Sequence, residues 1–198
     1  MSKVVADISV SLDGYVTGPD PGLEHGLGTG GELLHAWARR PTDVDARVLG
    51  GAVRATGAVI MGRRTFDVVD GPYGWGDPLG YGVAREQARA TPVFVVTHVP
   101  PSAVRRPELF TFVTDGPAAA VEHARTVAGD GDIVFMGGAD LIGQATDEGL
   151  LDELRLHLAP LLLGAGTRLF AQVRPRQWEP VETHFSPLAT HLTYRAIT

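Results

Sequence analysis

Apolar and polar positions follow two rhythms along this chain, and the changes of rhythm mark its elements. Val4 to Val10 carry Val4, Val5, Ile8 and Val10 with a lone charge at Asp7, the pattern of a first strand buried on at least one face. Ala58-Val-Ile-Met61, Pro92-Val-Phe-Val-Val-Thr97 and Ile133-Val-Phe-Met136 are apolar runs of the same kind, and Leu109 to Val113 makes another short strand. Helical spacings lie between them. Glu32 to Arg39 places Leu33, Ala36 and Trp37 on one side and stops before Pro41. A helix capped by Thr42 or Asp43 runs to about Ala55, another covers Gly62 to Val69, and Asp115 to Ala128 offers Ala119, Val121 and Ala124 for packing. Ala139 to Ala145 starts one more. Strands alternating with helices predict an α/β fold with a mainly parallel central sheet, whose ligands bind at the carboxyl ends of its strands.

After Gly149 the period becomes two. Leu154, Leu156 and Leu158 alternate with Arg155, His157 and Ala159, predicting a half-exposed strand with His157 on its surface. Glu179 to Phe185 and Thr190 to Ile197, joined at Ser186-Pro187, predict a closing antiparallel hairpin. With no internal repeat, low-complexity tract or linker, one domain over residues 1–198 is expected.

Three strands end in a way that bares backbone or offers a hydroxyl. Ile133 to Met136 stops at Gly137-Gly138 before Ala139, Asp140, Leu141 and Ile142; Ala58 to Met61 stops at Gly62 before Arg63, Arg64 and Thr65; the third ends at Thr97-His98. Free N–H groups at a helix start favour an anion. Arg63 and Arg64 oppose the dipole of their helix, a conflict that an anionic ligand would resolve. Neither a G-x-G-x-x-G fingerprint nor a Walker A loop is present at these turns. Asp13-Gly14 turns the chain after the first strand, and residues 70–91 form a long connection with Tyr73, Trp75 and Tyr81, which suits a lid or substrate wall.

Composition narrows the chemistry. A net charge of -6 without a basic cluster argues against nucleic acid or an anionic membrane as partner, and leaves small-molecule work. The absence of cysteine excludes disulfides, thiolate catalysis and cysteine metal sites, and no metal site is expected. Asp7 interrupts what a signal peptide would need as an apolar region, so a soluble, unprocessed cytoplasmic protein is expected.

The segments Ser11-Leu-Asp-Gly-Tyr-Val-Thr-Gly18, Val59-Ile-Met-Gly-Arg-Arg-Thr-Phe66, Val93 to Thr97, Val134-Phe-Met-Gly-Gly-Ala139 and Gly149-Leu-Leu-Asp-Glu-Leu-Arg-Leu156, followed by Gly164-Ala-Gly166, resemble in their order the dihydrofolate reductase superfamily. The resemblance is to the branch shared with the reductase domain of bifunctional riboflavin biosynthesis proteins. It implies a dihydrofolate reductase-like three-layer fold, NADPH as cofactor, hydride delivery to a heterocyclic or sugar-derived substrate, and a homodimer. By position it implies that Gly62, Arg63, Arg64 and Thr65 hold cofactor phosphates and that Thr97 and His98 lie beside the adenosine. Gly137 and Gly138 match the family's glycine pair, often joined by a cis peptide, with Ala139, Asp140, Leu141 and Ile142 along the pyrophosphate. Ser9, Ser11 and the loop through Gly18 would border the nicotinamide. The carboxylate that holds the pterin in folate reductases has no clear counterpart: Asp13 and Glu32 are the acids nearest in order and the candidate catalytic residues, and Trp37 and Trp75 are candidates for touching substrate. The alternative is a nucleotide-binding or sensing protein that keeps the cleft without turnover. The zinc deaminase domain that accompanies the riboflavin branch cannot be built without cysteine.

Overall fold

The computed structural model describes residues 2–71 and 91–197. One sheet of eight strands runs through them in the order β4-β3-β2-β5-β1-β6-β8-β7. These are β1 (Val4–Ser11), β2 (Thr56–Gly62), β3 (Val93–Val96), β4 (Phe110–Val113), β5 (Asp132–Phe135), β6 (Glu153–Ala159), β7 (Trp178–Phe185) and β8 (Thr190–Ala196). The strands from β4 across to β6 pair in parallel, while β8 pairs antiparallel with both β6 and β7. This is the dihydrofolate reductase-like α/β fold, with its parallel body and antiparallel C-terminal pair. Trp75, Tyr73 and Tyr81 lie outside the described residues, as does most of the connection expected to form a wall.

Period-two alternation assigns the two faces of the sheet. One carries Val4, Ala6 and Val10 of β1, Ala58 and Ile60 of β2, and Ile133 and Phe135 of β5. Against them pack Ala120, Val121 and Ala124 of α4 (Gly116–Arg125) and Leu141, Ile142 and Ala145 of α5 (Ala139–Asp147). On the other face, Val59, Met61, Val93 and Val95 meet Phe66 and Val69 of α3 (Arg63–Val69). Phe66 is 2% exposed and sets its ring edge-on to Phe110 and Phe112, a burial that stabilises by about 3 kcal/mol.

The expected helix over Glu32 to Arg39 divides. Gly31–His35 is a 3-10 helix and only Ala36–Arg39 is α-helical, here α1. The tighter turn changes which leucine is inside: Leu34 is fully buried and Leu33 is 49% exposed, the reverse of the α-helical expectation. Helix α2 (Asp43–Ala55) is capped by Thr42, whose hydroxyl accepts from the Asp45 N–H while the Asp45 carboxylate accepts from the Thr42 N–H, a reciprocal capping box.

Strand β6 corrects a second expectation. Burial along it does not follow the predicted alternation: Leu156 and Leu158 are only half-buried, whereas His157 is 4% exposed, because α1 and α2 cover its face. The polar side of the strand points into a covered polar layer and not into water.

Candidate functional site

Because β2 and β5 are parallel neighbours, Gly62, Gly137 and Gly138 leave the sheet side by side. The Gly62 N–H donates to the Gly137 carbonyl at 3.2 Å, tying the two ends. The Gly137–Gly138 peptide is cis, and Gly137 has φ of 113°, a left-handed conformation that glycine adopts without strain. A Cβ at either of the paired glycines would come to 3.5 Å from the Thr65 hydroxyl oxygen. Thr65 therefore faces the pair from the first turn of α3. Helix α5 starts at Ala139 from a Gly138 N-cap without a side-chain cap, and α3 starts from Gly62 likewise. The floor so formed is bare backbone flanked by a hydroxyl, with Ala139, Leu141 and Ile142 buried behind it.

The arginines resolve their conflict with the helix dipole internally. Arg63 Nε donates to Asp67 at 2.7 Å and one of its terminal nitrogens donates to the Val99 carbonyl at 2.8 Å. Arg64 reaches across the gap between the two helix starts to Asp140 at 2.9 Å, an exposed pair with side chains 88% and 70% accessible. Thr97, 8% exposed, organises the neighbouring turn: its hydroxyl donates to the Val99 carbonyl, and the Val99 N–H donates back to it. His98 is exposed on that turn. Gly62, Arg63, Arg64, Thr65, Thr97, His98, Gly137, Gly138 and Ala139 to Ile142 thus form one contiguous group.

The loop after β1 is built differently from the expectation. Ser11 is 1% exposed; its hydroxyl donates to Asp13 at 2.6 Å and accepts from the Tyr15 N–H. Asp13 also accepts from the N–H groups of Leu163 and Gly164 at 3.1 and 2.7 Å, and with the Ser11 bond as the largest cause its pKa falls to about 2. A carboxylate so held is ionised at neutral pH and fastens the loop to residues 163–164. Gly18 lies at the loop's far end, where a Cβ would come within 2.0 Å of the Thr29 carbonyl oxygen; its bareness serves this close backbone approach.

Glu32 is exposed in the first turn of the 3-10 helix. Trp37, expected to touch substrate, is 4% exposed: its Nε1 donates to the Ser9 hydroxyl at 2.9 Å, and its ring packs on His157 and His191. It is a buried partner of a polar cluster that sequence reasoning missed. That cluster contains Asp7, Ser9, His157, His191 and Asp45, and its trace in the sequence was the polar alternation Asp7, Ser9, Ser11 within an apolar strand.

Comparison with solved structures finds the same fold over the whole chain. A protein assigned to riboflavin biosynthesis from Shewanella sp. PV-4 is 20% identical with a TM-score of 0.72, the match covering 99% of each chain. A pyrimidine reductase-like protein from Corynebacterium diphtheriae is 16% identical with a TM-score of 0.65, covering 100% of this chain and 92% of the other. Dihydrofolate reductase from Enterococcus faecalis, complexed with NADP(H), is 15% identical with a TM-score of 0.59, covering 98% and 97%. No curated protein sequence matches the chain. The family model of the RibD C-terminal domain matches residues 2–192, and the chain belongs to that family.

Proposed function

We propose that this protein is an NADPH-dependent reductase that transfers hydride to a small heterocycle of the pteridine, pyrimidine or riboflavin-precursor kind. Membership of the RibD C-terminal domain family supports a reductase, as do relatives described as pyrimidine reductase-like and as dihydrofolate reductase with NADP(H). The observation that carries the reading is the convergence of Gly62, Thr65, Gly137 and Gly138 on adjacent strand ends. A dinucleotide suits that floor. Bare glycine backbone permits close approach, and the uncapped start of α5 offers N–H groups to a pyrophosphate. In this reading Gly62, Thr65, Gly137, Gly138 and the backbone of Ala139 to Leu141 hold the pyrophosphate. Arg63 and Arg64 meet the adenosine phosphate, Thr97 and His98 border the adenosine, and the Ser9–Ser11 strand end borders the nicotinamide. A phosphate at Arg64 displaces Asp140, which costs little because the pair is exposed. When bound, the cofactor supplies the hydride, and the chain supplies orientation and exclusion of water.

Thermal unfolding with each nicotinamide nucleotide tests this. At about 100 times its dissociation constant, NADPH stabilises by about 2.7 kcal/mol, which raises the midpoint by roughly 5–10 °C for a chain of this length. No shift removes the cofactor assignment, and an equal shift with NADH removes the phosphate specificity.

One observation favours the second reading, a non-catalytic NADP(H)-binding or sensing protein: the Asp13 carboxylate is already bonded within its own loop. Oxidation of NADPH with a pteridine or pyrimidine acceptor excludes that reading. We also propose a homodimer. Among the described residues strand β7 pairs only with β8, and it exposes Val181 and Phe185; light scattering decides the point.

A further inference from the structure

On the sheet face covered by α1 and α2 lies a run of polar side chains that the reductase reading leaves unused. Asp7 of β1 meets His157 of β6 at 2.9 Å from Oδ1 to Nε2. His157 meets His191 of β8 through their two Nδ1 atoms at 2.8 Å. His191 in turn meets Asp45 of α2 at 2.9 Å from Nε2 to Oδ1. The side chains are 19%, 5%, 3% and 0% exposed in that order, so the run is open at Asp7 and closed at Asp45. Trp37 lies over both rings, with centroids at 4.2 and 5.0 Å.

Counting hydrogens constrains the charge. Each contact at these distances needs one proton between its heavy atoms. Ionised carboxylates only accept, so both Nε2 atoms carry hydrogen, and a further hydrogen lies between the two Nδ1 atoms. Two neutral imidazoles supply two protons, whereas the three contacts use three. The directions of titration agree. Burial works against the charge on Asp7, but the charge and hydrogen bond of His157 outweigh it and hold the carboxyl below its ordinary range. At Asp45 burial is likewise outweighed by bonds from Ser186, Thr42 and His191. Burial is the main cause lowering His191; its bond to Asp45 opposes this, and the charge on His157 lowers it further. The pair thus accommodates one cation and resists a second.

We propose that Asp7, His157, His191 and Asp45 form a proton-held latch, in which one extra proton, shared by the two rings, ties the start of α2 and the β7–β8 corner to the sheet until rising pH removes it. Without that proton, two nitrogen lone pairs face each other at 2.8 Å, or one faces a carboxylate, and a contact must open. Asp45 is also the capping-box partner of Thr42, so an opened contact reaches the first turn of α2. The surrounding charges favour the cation. Arg155 of β6 is bonded to Asp132 of β5 and to Glu153, and Lys3 is bonded to Glu153. With Asp7 and Asp45 this makes four carboxylates against three fixed cations, Arg155, Lys3 and the Arg39 beside His35. His35 of the 3-10 helix and His184 of β7 are the other titratable groups acting on the run. The proton exchanges through Asp7, the most exposed member. The latch is independent of the reductase reading.

Nitrogen-15 NMR of the histidine rings in the intact protein tests it, with His157→Gln and His191→Gln providing assignments. At neutral pH the latch requires three protons on the two rings, one on each Nε2 and one between the Nδ1 atoms, with scalar coupling across the Nδ1 pair. Raising the pH should remove one proton and accelerate amide exchange at the start of α2 and at residues 186–190 together. Asp7→Asn, which keeps an acceptor but removes the charge, should weaken retention of the proton by at least tenfold. Two neutral rings at neutral pH in the wild-type protein overturn the proposal, as does deprotonation that leaves amide exchange unchanged. Both wild-type readings remain decisive if a variant does not fold.

Discussion

Replacing Trp37 by Phe separates a substrate wall from a buried structural partner. In the structure Trp37 is 4% exposed, and its indole N–H donates to Ser9, itself 3% exposed. Phenylalanine removes that bond, a loss of about 1 kcal/mol, and leaves unfilled space between the 3-10 helix and the histidine pair, about 1 kcal/mol more. The sum, about 2 kcal/mol, lowers the unfolding midpoint by roughly 4–8 °C for a chain of this length. Denaturant unfolding followed by far-ultraviolet circular dichroism measures it without relying on tryptophan fluorescence. NADPH affinity should stay within twofold, because Trp37 is not among the residues assigned to the cofactor. A loss below about 0.5 kcal/mol, the range of an ordinary surface substitution, would refute the structural role.

His35 is held down to about pKa 4, chiefly by burial and then by the charges of Arg39 and His157. Its folded value lies below the ordinary 6.5, so between pH 6.5 and about 4 the unfolded chain takes up a proton that the folded chain refuses. Stability should fall with pH through that window, by at most about 3 kcal/mol, and His35→Gln should flatten the fall in an acid titration of unfolding. Gly166→Ala meets a left-handed φ of 129° and places a Cβ within 2.0 Å of the Thr17 carbonyl oxygen, so it should displace the 11–18 loop and destabilise by about 2 kcal/mol or more, read in the same unfolding assay. Arg64→Ala breaks only an exposed pair and should change stability by less than about 0.5 kcal/mol, while calorimetry should show weaker NADPH binding and unchanged NADH binding.

The parallel body was legible because its strands are short apolar runs that stop at glycine or a hydroxyl, and that punctuation survives without tertiary knowledge. The glycine floor was legible for the same reason. His157 was misread because period two tells which side chains share a face but not what covers that face. Leu33 and Leu34 were exchanged because the 3-10 turn rests on Gly30 in a left-handed conformation, which nearby glycines permit but do not announce. Asp67 lay in view four residues after Arg63, whereas Asp140 is brought to Arg64 only by the pairing of β2 with β5. Asp45 is a helix cap by its spacing from Thr42; its second role at His191 depends on a hairpin 146 positions away.

The central claim is tested most directly by a single-turnover experiment with NADPH carrying deuterium at the transferable position, incubated with stoichiometric protein and a panel of pteridine and pyrimidine acceptors. The account predicts oxidation of the bound cofactor with at least one acceptor and recovery of the label on a ring carbon of the product. Tight NADPH binding without consumption across the panel would contradict reduction and favour a binding or sensing protein, and failure to bind NADPH at all would contradict the assignment of Gly62, Thr65, Gly137 and Gly138 as its seat.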